Sequence, residues 1–507
     1  MRVTLIRPPV YGTGFMGVQL VPFLGVVYVA AAARAAGHEV DVIDMCAEDI
    51  DRTECVDGRF VQYGMSFDRL RERLKPSDVI GFTCMFSQEW PFHRRLMAHV
   101  AGLAPESVIF AGGEHVTALP EFCLQDCPEL DYCIVGEGER AVVALLNALA
   151  RGESLDQVPS LVSRLPDNGG YSRTPRSPRI CDVDKIARPA WDLVPLENYL
   201  SRGLNYHLAR GRTIPVVATR GCPYQCTFCS NAGMWGRQWV ERSAADLADE
   251  IEGYVVKYHA ENFVFSDLTA VVSAGEMTAF CGELIRRDLK VTWQLPTLRT
   301  EALNKENLAL MYKAGCRELD VAIESGSKRV LESVHKKNDP LRMARVVREA
   351  VSVGMNVSSN LVIGLPQEGW GDLWHTYGLL MSLAFHGMHE VNVFPFIPYP
   401  GSSLFYELLE QKKIKLDDAF FLSLFSYADL SRSVSWSRTF RPGVLGFMRI
   451  FLMASFYMVM LVSHPSRLLR LVVNARSGRA TTKLEGVLKR IFKNMKASSR
   501  TKAGYAK

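Results

Sequence analysis

The chain alternates short apolar runs with amphipathic stretches along most of its 507 residues. Residues 3–6 form a strand-like run, residues 23–36 are mostly apolar and stop at Gly37, and residues 40–43 form a second strand ending at Asp44. Further buried-strand runs follow at 78–83, 107–111 and 132–135. Apolar strands separated by helical stretches predict an α/β fold with a doubly wound parallel sheet over residues 1–150. Such a sheet binds ligands beyond the carboxyl ends of its strands. Here those ends carry Pro8-Pro9, Ser87-Gln88, Gly112-Gly113-Glu114-His115 and Gly136-Glu137-Gly138-Glu139.

Residues 151–210 are punctuated by prolines and predict a linker of surface strands and turns. Alternation resumes over 211–410. A strand at 214–219 precedes an amphipathic helix at 243–259, and strands follow at 262–265, 291–294, 318–323, 356–363 and 390–394. About six βα units fit a partial TIM-like barrel, whose site lies at the C-terminal strand ends. Those ends hold Asp267, Arg299, Glu324-Ser325-Gly326 and Gly364-Leu365-Pro366. An N-cap for Asp267 and a solvated salt bridge for Arg299 are the structural alternatives. The remainder, 411–507, predicts a helical region. Its residues 444–462 carry one charge, Arg449, and the uncharged part, 450–462, is short of the roughly 20 residues a membrane span needs.

Composition narrows the class. Hydrophobic residues make up 48% and charged residues 22%, which describes a globular protein with ample core, and the length suits two to four domains. The start lacks the apolar h-region of a signal peptide, so a reducing cytoplasm is expected. Charge is unevenly spread. Residues 464–507 hold twelve Lys or Arg and one acid, Glu485, a balance of +11; the whole chain carries +5, so residues 1–463 carry −6. An apolar stretch followed by Arg467, Arg470, Arg476, Arg479, Lys483, Lys489, Arg490, Lys493 and Lys496 predicts a segment lying in an anionic membrane interface. The alternative is a helix that closes the barrel, followed by a free basic end. No nucleic-acid partner is expected, because the tail interleaves only Phe492 and Tyr505 and no reader motif.

The chemistry concentrates at Cys222, Cys226 and Cys229, spaced C-x3-C-x2-C. Three thiolates can hold three irons of a 4Fe–4S cluster and leave the fourth open to a ligand. An electron-transfer cluster would need a fourth nearby cysteine, and none follows until Cys281. Structural zinc wants four ligands, and His207 and His259 complete no zinc spacing. An odd set without a secretory signal argues against disulfides. Cys281 and Cys316 are expected to be core thiols, as is Cys84.

This run, with Phe228 just before the last cysteine, resembles the cluster loop of the radical S-adenosylmethionine (SAM) superfamily. The resemblance implies that the open iron binds SAM and that reductive cleavage yields a 5′-deoxyadenosyl radical. It further implies that Asp267 meets the SAM amino group, that Arg299 lies beside the cofactors, that Glu324 and Ser325 lie near the SAM ribose and methionine, and that Gly364 and Pro366 border adenine. Tyr399-Pro400-Gly401-Ser402 matches a common closing segment. In the first domain, Pro22-Phe23-Leu24-Gly25, Gly112-Gly113-Glu114-His115 and Gly136-Glu137-Gly138-Glu139 resemble the cobalamin-binding domain that precedes many radical SAM domains. The cobalamin contacts implied are Ser87, Gln88, Gly112, Gly113 and Glu137. The Asp-x-His-x-x-Gly motif that supplies an axial histidine is absent, so the lower cobalamin face is expected to be unligated, or met by another residue of the 83–88 loop.

The function expected is that of a cobalamin-dependent radical SAM enzyme acting on an unactivated carbon of a lipophilic substrate by C-methylation, with a low-potential electron donor. Oxidative cyclisation or rearrangement of a porphyrin or hopanoid-type lipid is the alternative, as in the anaerobic magnesium-protoporphyrin monomethyl ester cyclase group. A tRNA methylthiotransferase would need three more cysteines in its first domain, and the first 45 residues contain none. A sensor that binds the cofactors without cleaving SAM would make no 5′-deoxyadenosine.

Overall fold

The computed structural model describes residues 1–13, 18, 20–166, 169–204, 210–477 and 485. The first sheet runs in the order Tyr171–Arg173, Leu161–Arg164, Tyr132–Ile134, Val108–Gly112, Val79–Thr83, Arg2–Arg7, Glu39–Asp44. The last five of these are parallel. Successive crossovers reverse direction between Arg2–Arg7 and Val79–Thr83, the switch point where such sheets open a crevice. Val3, Leu5 and Val42 enter one core and Ile6, Ile43 and Ile80 another, so the sheet is buried on both faces.

The expected linker is more structural than its prolines suggest. Leu161–Arg164 and Tyr171–Arg173 extend the first sheet by two antiparallel strands. Trp191 and Tyr199 are buried. The Tyr199 hydroxyl donates to Asp44 Oδ2 at 2.9 Å, and Asp44 also pairs with Arg7 at 3.1 Å. Burying that pair demands such a partner, and the segment supplies it.

The second sheet is six parallel strands in chain order: Thr213–Val216, Asn262–Phe265, Thr292–Leu298, Cys316–Glu324, Asn356–Ile363 and Glu390–Pro395. Along Cys316–Glu324, Leu319, Val321 and Ile323 join the apolar core. The two-residue period therefore turns Glu318, Asp320 and Glu324 to the barrel interior. Six strands do not close a barrel, and Glu390–Pro395 is left as an edge.

The apolar helix Pro442–Ser463 covers that edge. It begins on a proline, whose fixed φ suits a first helical turn, and buries Leu445, Met448, Leu452 and Phe456 against the barrel. Its one charge is a staple. Arg449 donates to the carbonyls of Val393 (2.7 Å), Ser426 (3.1 Å), Asp429 (3.0 Å) and Tyr427 (2.6 Å). Burial lowers the pKa of the guanidinium to about 10. The helix is thus long and apolar enough to cross a membrane, yet one face is docked on the barrel. That docked face matches the alternative read from the sequence, a helix that closes the barrel, since an edge strand needs a cover. Of the basic residues cited from the tail, Arg479, Lys483, Lys489, Arg490, Lys493 and Lys496 lie outside the described residues.

The chain between barrel and apolar helix reaches back over the first domain. Arg94 pairs with Asp418 at 2.7 Å, and Phe60 meets Phe425 with ring centroids 5.1 Å apart.

Candidate active site

The cluster loop hangs from the first barrel strand. Asp267, buried beyond the second strand, accepts from Ala218 N at 3.1 Å, from Thr219 Oγ1 at 2.6 Å and from Thr219 N. It is no helix cap, since the next helix, Gly275–Arg286, is preceded by Ala274. Burial raises its carboxyl to about 6. Its described role is to hold the backbone that enters the loop. Thr219–Arg220 then pairs with Val240–Glu241, which closes the loop as a short ribbon. Gly221 sits at φ +85, and a Cβ there would lie 2.2 Å from the Gln238 carbonyl oxygen, so the residue before the first cysteine must be glycine.

Arg220 ties this ribbon to the first domain. It pairs with Glu137 at 3.2 Å and with Glu139, and lies over the Tyr28 and Trp235 rings. Glu137 also takes Arg179 at 2.8 Å. Both Glu137 oxygens are engaged, one by these arginines and the other by Ile180 N. The expected cobalamin contact is therefore placed as an interdomain ion pair.

The cysteine segment itself is pinned on two sides. Thr227 N donates to Val334 O at 3.0 Å, and Thr227 O accepts from Leu404 N at 2.9 Å. Phe228 is half-buried against the second core. Arg299 lies 3.5 Å over the Tyr224 ring, reaches Asn338 Oδ1 at 2.6 Å, and brings Nη1 to 3.9 Å from Cys226 Sγ. It pairs with Glu301 as well, so the salt bridge is real and sits against the cluster loop. Burial raises the pKa of all three thiols, Cys229 to about 12, while Lys336 and Arg299 pull Cys226 the other way. A bound metal favours the thiolate form and so opposes that burial. No three Cys, His, Asp or Glu side chains among the described residues are placed to hold a metal ion. A 4Fe–4S cluster asks for something else: each thiolate binds a different iron, so the sulfurs need not converge. Three soft donors beside two cations fit that group.

The later strand ends come together with this loop unevenly. Glu324, at φ +61 and next to a register shift, forms a buried pair with Lys336 at 2.8 Å. A non-glycine residue in the left-handed region is strained, which marks this strand end. Ser325 is fully buried and spends its hydroxyl on Thr376 Oγ1 (3.1 Å) and Ser327 N (3.1 Å). Gly364, at φ +80, packs beneath Leu445 of the apolar helix. The Pro366 carbonyl accepts from Arg438 N at 3.4 Å. These last residues shape the loop rather than present a free polar group. Cys84, Cys281 and Cys316 are fully buried core thiols.

The first sheet meets the cluster loop directly. Ser230, next to Cys229, bonds to Glu114. The Tyr399 hydroxyl accepts from Ser87 N at 2.8 Å, and Ser87 Oγ contacts His115 Nδ1 at 2.9 Å. Gly113, at φ +110, lets its backbone press on Cys84, where a Cβ would fall 2.6 Å from the carbonyl oxygen, and Gly112 O accepts from Cys84 N at 2.7 Å. Buried Gln88 Oε1 and His115 Nε2 have no partner among the described residues, so these strand ends carry two unused polar atoms, as a ligand face would. Burial lowers the pKa of His115 to about 3, which keeps it neutral.

One aromatic pair at the barrel has no signal in the sequence. Tyr427 stacks on Phe394 with centroids 4.1 Å apart. Burial, with Glu324 and Asp320 nearby, raises the pKa of its hydroxyl. Val391 and Val393 join the apolar core, so the two-residue period turns Phe394, the partner of Tyr427, to the barrel interior. Nothing local in residues 424–427 signals this, because the placement comes from the Arg449 staple.

Residues 18–146 match the family model described as the B12 binding domain, and residues 216–380 match that of the radical SAM superfamily. An uncharacterized methyltransferase of Pyrococcus horikoshii is 27% identical over 413 residues, 80% of this chain and 82% of that protein. The anaerobic magnesium-protoporphyrin IX monomethyl ester cyclase of Rubrivivax gelatinosus is 29% identical over 82% of this chain and 71% of that protein. Among solved structures, the radical SAM methyltransferase TsrM of Kitasatospora setae, with cobalamin and a 4Fe–4S cluster bound, superposes with a TM-score of 0.65 at 18% identity, over 81% of this chain and 78% of that one. The two matched domains, in this order, around a three-cysteine loop place the chain in the cobalamin-binding radical SAM enzymes, with a 4Fe–4S cluster, SAM and cobalamin as cofactors.

Proposed function

We propose that this enzyme replaces a C–H bond of a lipophilic substrate by a C–CH3 bond. The observation that carries the reading is the contact between the two halves: Ser230 and Tyr399 of the barrel bond to Glu114 and Ser87 at the first sheet's strand ends. When bound, the cluster supplies reductive cleavage of SAM, and cobalamin supplies a methyl carrier. In net terms, one SAM gives its methyl and leaves as S-adenosylhomocysteine. A second, with two electrons from a low-potential donor, yields methionine and a 5′-deoxyadenosyl group that leaves carrying the substrate hydrogen.

The chain's own residues do the positioning. Cys222, Cys226 and Cys229 hold the cluster. Arg299 and Lys336 offset its negative charge. Asp267 and Arg220 fix the loop at either end of its ribbon, and Glu324, held by Lys336, borders the interior where the SAM polar groups bind. Gln88 and His115 offer polar atoms on the cobalamin side. The Phe394–Tyr427 stack offers an aromatic surface on the interior side of the barrel, which suits an apolar substrate. In this reading the enzyme works in the cytoplasm, peripherally on the inner face of the membrane.

Anaerobically reconstituted enzyme, incubated with SAM carrying a deuterated methyl group and a membrane-lipid or porphyrin extract, is expected to yield a product heavier by one labelled methyl. The cyclase relative motivates a second reading, oxidative cyclisation, in which the product gains no label. That outcome would replace the first.

A further inference from the structure

Seventeen large apolar side chains are exposed among the described residues, and ten of them lie on Trp370–Phe385, Pro442–Ser463 and Pro465–Ser477, helices of 16, 22 and 13 residues. So few residues should not hold most of the exposed apolar bulk by chance. On the apolar helix the exposed positions Phe447, Ile450, Ala454, Met458 and Val462 recur every three or four residues, and no polar side chain interrupts them. The opposite stripe is the one docked on the barrel. A surface helix of a globular protein ordinarily turns polar residues outward, so this one is apolar on both faces. Beside it Trp370 and Trp374, about half exposed, form with Val444, Phe447 and Phe451 an open apolar groove of about 570 Å³.

Charge frames this face. Residues 442–477 contain no Asp or Glu. Exposed Arg438 and Arg441 precede the apolar helix, and beyond its other end the chain continues into the segment that carries +11. We infer that this two-helix face docks on an anionic lipid bilayer, with the tryptophans and the outer stripe at headgroup depth and the basic ends on lipid phosphates. A second copy of the chain fits less well. A two-fold axis would set basic ends against basic ends whichever way the helices cross. The inference deepens the peripheral location proposed above by naming its surface, and vesicle binding is read independently of methyl transfer.

The test uses the full-length enzyme and sedimentation with vesicles of phosphatidylcholine, with and without phosphatidylglycerol. Binding is expected only with phosphatidylglycerol and should weaken as salt rises. A Trp374→Glu, Ile450→Glu double variant changes two exposed positions away from the cysteine loop. It should lose binding tenfold or more while its melting temperature, cluster absorbance and turnover of detergent-dispersed substrate stay unchanged. Undiminished binding by that variant would assign attachment to the basic tail and overturn the proposal. So would no binding to either vesicle, or a solution dimer of the wild type that the variant dissociates.

Discussion

Two buried side chains carry sharp consequences. Glu368 is fully buried in the loop after Asn356–Ile363, and burial raises its carboxyl from 4.5 to about 7. A raised acid stabilises the fold most below its unfolded pKa and loses that advantage as pH climbs through the folded value. Native stability relative to Glu368→Gln should therefore fall between about pH 4.5 and pH 7, by up to roughly 3 kcal/mol at about 1.4 kcal/mol per pKa unit. Melting curves of both proteins at about pH 5 and pH 8 check this; a constant difference would contradict it. Arg299 acts at the cluster. Its positive charge beside Cys226 favours the reduced, more negative cluster. Arg299→Gln should shift the midpoint potential to more negative values in a spectroscopic redox titration with the three cysteines intact.

At the scale of elements, the Arg449 staple decides how the open barrel edge is covered. Arg449→Leu leaves four carbonyls without their donor, each costing about 1–3 kcal/mol if buried, partly offset by relief of the desolvated cation. A net loss of about 3 kcal/mol is expected, together with faster amide exchange in Glu390–Pro395. Arg449→Lys should not restore it, since an ammonium lacks the planar fork. Much of the architecture was legible in the sequence because buried parallel strands are largely apolar runs: 262–265 coincides with the strand Asn262–Phe265. The cysteine loop was legible because its spacing is local. What escaped is long-range. Tyr199 is held by Asp44, 155 residues away, and Tyr427 is aimed by a helix further along the chain. Proline content described the linker's backbone but could not show that its aromatic side chains complete the first domain's core.

At the scale of the whole molecule, a cobalamin-binding domain and a radical SAM barrel are joined through ion pairs and hydrogen bonds that begin two residues before Cys222 and resume one residue after Cys229. Cys222→Ala, Cys226→Ala and Cys229→Ala should each abolish SAM cleavage, and normal turnover by any one would remove the cluster from the loop. The most direct measurement is the anaerobic product balance with SAM, cobalamin and a low-potential reductant in the presence of substrate extract. 5′-Deoxyadenosine, S-adenosylhomocysteine and methylated product are expected in equal amounts. 5′-Deoxyadenosine without S-adenosylhomocysteine, or neither product, would contradict it.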